Sequence, residues 1–266
     1  MRSVYAHKTT ISGDAGNLGD MMGFHIADEI IGPDAYVRKG IRQKDALDEE
    51  TIALVGSVIA ALVDSPVRVI GGGLINGSTR KYGPDVRIEA VRGFLTQAII
   101  ERDAKQVPEV IGDPGLLLPW LSPLPETEKL PGIGYVIHDV DREEFARLYP
   151  SETDRIIDNY TSRDEFVRQL SQYEAVASTS LHGCIFAHAY GIPVAPFVLT
   201  DKVFGGDFKF RDHYSAFGID VRRQPLAGSP GEILDAVESF PQPALAQVEH
   251  LASRQREVIT AALRGR

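Results

Sequence analysis

One cysteine, Cys184, is all the thiol that the 266 residues contain. That excludes an intrachain disulfide and a cysteine-rich zinc site. The thiol reads as a small buried hydrophobe. Long apolar runs are also missing. No stretch approaches the ~18 consecutive apolar residues of a membrane span. The opening residues Met1 to Lys8 lack the apolar core of a secretory signal. The expectation is a cytoplasmic chain. Positive charge is scarce as well: 28 Lys and Arg face 37 Asp and Glu, a net charge of -9. Such a chain repels phosphate backbones, which argues against general nucleic-acid binding but not against a local pocket for a small anion. The histidines at 7, 25, 138, 182, 188, 213 and 250 have no zinc-ligand spacing, so no metal is expected. Asp139-Val140-Asp141 matches the acidic pair that holds a metal in some glycosyltransferases, but three letters discriminate little. A Gly-x-Ser-x-Gly hydrolase elbow is absent.

What is present is apolar material, 43% of the chain, enough for a buried core. Short apolar runs alternate with longer helical patterns. Residues 51–62 read as a buried helix, Val67 to Ile70 as a strand ended by Gly71-Gly72-Gly73, and Glu89 to Val91 as another strand. A helix from Phe94 to Arg102 and a strand from Pro108 to Ile111 follow. Strand, turn, helix, strand predicts an α/β fold with parallel sheets. The segment Trp120 to Pro131, with three prolines, reads as a linker. Beyond it, strands are expected at Ile133–His138, Arg155–Asn159, Ala175–Ser178 and Pro193–Leu199. Helices are expected over Leu181–Tyr190 and Ala244–Leu263. The division predicted is an N-terminal unit at 1–122, a second at 132–243, and a closing helix at 244–266, with a ligand cleft between the two halves.

Six places could carry chemistry. Gly13 to Asp20 is a glycine-bearing loop in which Asn17, Gly19 and Asp20 could meet hydroxyls. It has neither the Lys-Ser/Thr of a phosphate loop nor dinucleotide-fingerprint spacing, and Asp20 could simply cap a helix. Gly72 and Gly73 follow a buried strand, where glycines serve either close ligand approach or a turn. Arg92 ends a strand, where its planar fork suits a carboxylate, a phosphate or an ordinary salt bridge. Asp113 precedes a proline and either holds that turn or faces the cleft. Ser178-Thr179-Ser180-Leu181-His182-Gly183 opens a helix, whose N-terminal N–H groups and nearby hydroxyls suit an anion, with His182 available as acid or base. His188, six residues on, reads as a core histidine. Lys202, Lys209 and Arg211 make residues 202–212 the most basic loop of an acidic chain, either a site or a solvated charge run.

In order, GNLGD at 16–20, the glycines at 71–73, AVRG at 90–93, VIGDPGLLLP at 110–119, STSLHG at 178–183, AYGIPV at 189–194 and the 202–212 loop resemble the polysaccharide pyruvyl transferases. The compact pattern is closest to the ketal pyruvate transferases of xanthan-type exopolysaccharide assembly. The resemblance implies a GT-B-like pair of Rossmann-like domains, with phosphoenolpyruvate as co-substrate and no cofactor. The implied acceptor is a sugar of an oligosaccharide, often lipid-linked. Carried over by motif, Arg92, His182 and Lys209 (with Lys202 second) hold the donor and do the chemistry. Ser178, Ser180 and Gly183 line the donor side; Asn17, Gly19, Asp20, Gly72, Gly73 and Asp113 line the acceptor side. Many family members have an arginine before Leu-His-Gly where this chain has Ser180, which removes one anion contact. A nucleotide-sugar glycosyltransferase and a non-catalytic sugar-binding protein are the rival readings. Arg254, Arg256, Arg264 and Arg266 suit a solvated helix face or a peripheral contact with the inner face of the cell membrane.

Overall fold

The computed structural model describes residues 2–6, 16–40, 47–78 and 81–265. His7 and Gly13, Asp14 and Ala15 of the first glycine loop lie outside the described residues. Among the described residues, ten strands form two parallel sheets. The first contains β1 (Ser3–Ala6), β2 (Val37–Gly40), β3 (Thr51–Ala53), β4 (Val67–Gly72), β5 (Arg87–Val91) and β6 (Val110–Ile111), in the order β2-β1-β3-β4-β5-β6. The second contains β7 (Gly134–Val136), β8 (Val176–Ser178), β9 (Val194–Val198) and β10 (Gln224–Pro225), paired in chain order. The helices are α1 (Leu18–Ile31), α2 (Ile59–Leu62), α3 (Phe94–Ala104), α4 (Leu118–Leu121), α5 (Arg142–Leu148), α6 (Arg163–Ser171), α7 (Leu181–Ala189), α8 (Phe208–Ser215), α9 (Pro230–Glu238) and α10 (Leu245–Arg264). The mixed α/β class with parallel sheets is as the alternation predicts.

Apolar strands follow from burial on both sheet faces. Val4, Ile52, Ile70 and Ala90 point into one hydrophobic cluster, and Tyr5, Ala53, Val69 and Val91 into another on the opposite face. This is why 51–62 departs from the expected helix. Thr51–Ala53 is a strand sandwiched between β1 and β4, Gly56 turns the chain at φ 98°, and only Ile59–Leu62 is helical. A doubly buried strand and a buried helix both read as unbroken apolar sequence. Arg155–Asn159 is not a strand either. A 3-10 turn occupies Pro150–Arg155, and Ile156 makes a single bridge to Tyr135. The chain then leaves the sheet edge, because Asn159 uses its carbonyl to accept from the Leu18 N–H at 2.8 Å. Trp120 belongs to α4 rather than to the proline-bearing connection. Residues 208–212 are helical, the first part of α8, and not loop.

The larger cluster runs through both halves, from Val4 and Phe24 to Tyr135, Phe186 and Ile259. The closing helix α10 packs back on α1, β4, β6 and α7, and Gln255 donates to the Gly112 carbonyl at 2.7 Å. Among the described residues no helix is long and apolar enough to cross a membrane.

Candidate active site

The chain winds to opposite sides of β1, first to β2 and then to β3, and such switch points leave a crevice beyond the strands' carboxyl ends. A cleft of about 330 Å³ lies there. The first half lends Asn17 and Asp20 at the start of α1, Gly56 and Ser57 after β3, and Ile75 after β4. The second half lends His138, Asp139 and Val140 after β7, Ser180, Leu181 and His182 after β8, and Lys202, Phe204 and Lys209 after β9. Tyr160 adds one wall.

At the base, α7 begins at Ser180. The Ser178 hydroxyl accepts from the Ser180 N–H at 3.1 Å, which pins the turn from strand to helix. Thr179 Oγ1 accepts from the His138 N–H at 2.8 Å and ties the ends of β7 and β8 together. Gly183 has no room for a side chain against Val136 and Ser178, so α7 sits tightly on its sheet. Its first N–H groups then lie beneath the cleft, with the positive end of the helix dipole.

His182 stacks on Phe186 at 5.6 Å between centroids. Its other edge meets Gly19, where an added Cβ would sit 2.0 Å from Nδ1. Gly19 is therefore fixed by His182, and Asn17 caps the same helix by accepting from the Gly19 N–H at 3.0 Å. The His182 Nε2 is shielded and has no hydrogen-bond partner among the described residues. Burial first, then the charges of Arg92, Lys209 and His138, push His182 down to about 3. It is a neutral imidazole at pH 7. Lys209 is only 7% exposed, and its Nζ makes no hydrogen bond or salt bridge among the described residues. Burial, reinforced by Arg92 and Arg223, lowers it to about 8. A desolvated ammonium near a neutral imidazole, above a helix N-terminus, suits a small anion. Lys202 stands at the exposed rim.

Arg92 is placed differently from these. It is fully buried under the cleft and ion-paired with Asp212 through Nε (2.9 Å) and Nη2 (2.8 Å). Nη2 also donates to the Leu74 carbonyl at 2.6 Å, and Nη1 to Ser57 Oγ at 2.8 Å. Gly73 lies flat against the guanidinium, where a Cβ would come within 2.4 Å of Cζ. Gly72 ends β4 and accepts from the Arg92 N–H at 3.1 Å. Asp212 in turn accepts from the Thr96 N–H at 2.7 Å and hydroxyl at 2.8 Å. Asp113 is buried and accepts from the Gly115 N–H at 2.8 Å, holding its turn, and burial raises it to about 6. Arg92, Gly72, Gly73, Asp113, Ser178 and Gly183 thus surround the cleft without lining it; Asn17, Asp20, Ser180, His182, Lys202 and Lys209 line it.

His188 is buried and shares a 3.0 Å contact between its Nδ1 and His213 Nε2. Asp139 is exposed, whereas Asp141 is buried and accepts from the Thr200 hydroxyl. His138, Tyr160, Phe204 and Ser57 line the cleft and were not singled out from the sequence. The end-of-strand rule that points to Arg92 and His182 would have found His138 and Ser57.

Residues 90–200 match the polysaccharide pyruvyl transferase family. The resemblance read from AVRG, GDPGLLLP, STSLHG and AYGIPV is thereby shown over the segment that holds those motifs. An uncharacterized protein of Acanthamoeba polyphaga mimivirus is 33% identical over 174 residues, which are 62% of this chain and 60% of that protein. The chain therefore spans less than two thirds of that relative. A crystal structure of a functionally uncharacterized Klebsiella pneumoniae protein covers 80% of this chain and 86% of its own, at TM-score 0.44 and 13% identity.

Proposed function

We propose that this chain is a ketal pyruvyl transferase on a GT-B-like scaffold. In this reading it moves the pyruvyl group of phosphoenolpyruvate onto two hydroxyls of a sugar in a polysaccharide repeat, carried on a lipid, and releases phosphate. The observation that carries the reading is the meeting of neutral His182 and desolvated Lys209 over the N-terminus of α7; His182 and α7 lie within the segment that the family match covers, and Lys209 follows it. Phosphoenolpyruvate presents a carboxylate and a phosphate. Lys209, the α7 N–H groups and Lys202 offset that charge, and Arg92 adds its field from beneath through Ser57. No resident cofactor is needed for this chemistry.

The bound anion offsets the positive field that keeps His182 neutral, so His182 can take up a proton once the donor is in place. It protonates the methylene carbon, and C2 gains oxocarbenium character. One sugar hydroxyl attacks C2, its proton returns to His182, and phosphate leaves. The second hydroxyl closes the ketal, and its proton departs with phosphate. One diol and one phosphoenolpyruvate give one ketal and one phosphate.

The test is phosphate release from phosphoenolpyruvate, with and without a lipid-linked oligosaccharide fraction, on wild type and Lys209→Met. Acceptor-dependent release that disappears in the variant is the expected result. Stabilisation against heat by a nucleotide sugar and not by phosphoenolpyruvate would replace pyruvyl transfer with glycosyl transfer.

A further inference from the structure

Beside Lys202 and Asp139, the rim of the cleft carries apolar side chains that a charge-binding site does not need. Phe204 is 69% exposed, Tyr160 41% and Val140 40%, and all three line the cleft. Leaving a phenyl ring in water forgoes about 2 kcal/mol of burial. Phe204 is nonetheless held out by a built loop. Val203 before it is buried, and the Lys202 N–H is bound by Thr200 Oγ1 at 3.2 Å. Gly205 after it, at φ 92°, lies so close to the Ile75 carbonyl that a Cβ would sit 2.4 Å from the oxygen. The loop is thus anchored across the cleft on the first half, and Phe204 is displayed there. Tyr160 is held as well. Its N–H donates to Asp158 Oδ1 at 3.1 Å, and the Arg142 guanidinium covers its ring at 5.5 Å from the centroid. That occupies the Arg142 side of the ring.

We propose that Phe204 and Tyr160 form the platform on which the acceptor's pyranose ring stacks, a subsite that rests on the transfer reading above. A pyranose has an apolar C–H face and a polar hydroxyl edge. Aromatic rings at the rim take the face. Asn17 and Asp139, which line the same cleft, suit the edge. Hydroxyls held this way point down the cleft toward His182 and Lys209, where the donor lies. A purely anionic ligand would leave these rings unused. A nucleobase would also use the rings, which makes uridine diphosphate the competing occupant in the test.

The experiment is saturation-transfer NMR with methyl β-glucopyranoside, methyl β-galactopyranoside, methyl α-mannopyranoside and uridine diphosphate. It is run on wild type, Phe204→Ala, Phe204→Trp and Tyr160→Ala, alongside thermal stabilisation by phosphoenolpyruvate. The expected result is transfer to the C–H protons of one face of at least one pyranoside. Phe204→Ala weakens that binding about fivefold and Phe204→Trp preserves it. Phosphoenolpyruvate stabilises all four proteins alike, which also shows that they are folded. The platform is overturned if no pyranoside receives saturation, if uridine diphosphate alone does, or if both alanine variants bind as wild type does. Pyranoside binding that is lost in Phe204→Ala, together with no stabilisation by phosphoenolpyruvate, would uphold the platform and overturn the donor reading instead.

Discussion

Donor affinity should fall as pH rises through the titration of Lys209. Among the described residues no carboxylate pairs with its ammonium; burial is the first cause that brings it from 10.5 down to about 8, with Arg92 and Arg223 adding to it and Asp141 and Asp20 opposing it. A cation is needed to receive the donor, so the competent fraction of free enzyme is the protonated fraction. With a value near 8, that fraction is about 0.9 at pH 7, about 0.5 at pH 8 and about 0.1 at pH 9. Apparent Kd scales inversely with the competent fraction, so it should rise roughly tenfold between pH 7 and pH 9. The last ionisation of phosphoenolpyruvate lies at about pH 6 and would tighten binding as pH rises, so a loss of affinity toward pH 9 belongs to the protein. Binding measured by calorimetry at constant ionic strength checks this, with Lys209→Arg as the variant that stays charged. A flat profile in wild type, or the same slope in Lys209→Arg, would refute the assignment of donor charge to Lys209. Stability runs with the opposite demand. The unfolded lysine binds its proton more tightly than the folded one, so the folded protein gains stability as pH rises from about 8 to 10.5. Below that window the charged lysine costs up to about 3 kcal/mol. Lys209→Met should therefore melt higher than wild type while losing donor binding.

His182→Ala should lower steady-state turnover by ~10²–10⁴, and a loss under tenfold would remove His182 from the acid–base role. Gly19→Ala drives a methyl into the His182 ring, 2.0 Å from Nδ1. It should cost turnover on the scale of His182→Ala, with phosphoenolpyruvate affinity reduced less, as separate kcat and KM measurements would establish. Asp212→Ala strands the buried Arg92 guanidinium without its carboxylate and should cost about 3–5 kcal/mol by urea unfolding. Arg168→Ala, which breaks the exposed pair with Glu165, should leave the urea midpoint close to that of wild type, because solvent screens such a pair.

Legibility followed burial. The strands read at 67–70, 89–91 and 175–178 and the helices read from 94, 181 and 244 were legible because glycine or serine stands where most of these runs stop. Thr51–Ala53 was not, since an apolar strand covered on both faces loses the alternation that identifies it. His182 was legible from its place at the head of a helix. Lys209 was legible as part of a basic loop, although it stands on α8 and is buried. Arg92 shows where sequence stops. An arginine at the end of a strand looks the same whether its fork faces a ligand or a carboxylate from 120 residues away, and here Asp212 takes it. Phe204 carries no sequence signal, because its exposure depends on how Gly205 meets Ile75.

The buried pair and the site form one device. Lys209 and Asp212 are three residues apart on α8, so they lie on neighbouring turns of one helix face. Asp212 is locked to Arg92 at the end of β5 and to Thr96 in α3, and the Phe94 N–H donates to Ser215 Oγ at 2.9 Å. At Gly93 the two helices come so close that a Cβ would overlap the Asp212 carbonyl oxygen. These contacts join the two sheets immediately behind the cleft. If Lys209 receives the donor as proposed, it cannot be held by a carboxylate of its own, because that partner would neutralise it. Its helix must be held instead. The AVRG segment does this: arginine binds the carboxylate, glycine admits the helix, and the charge that results also bears on His182. Arg92 can therefore matter for the donor without touching it.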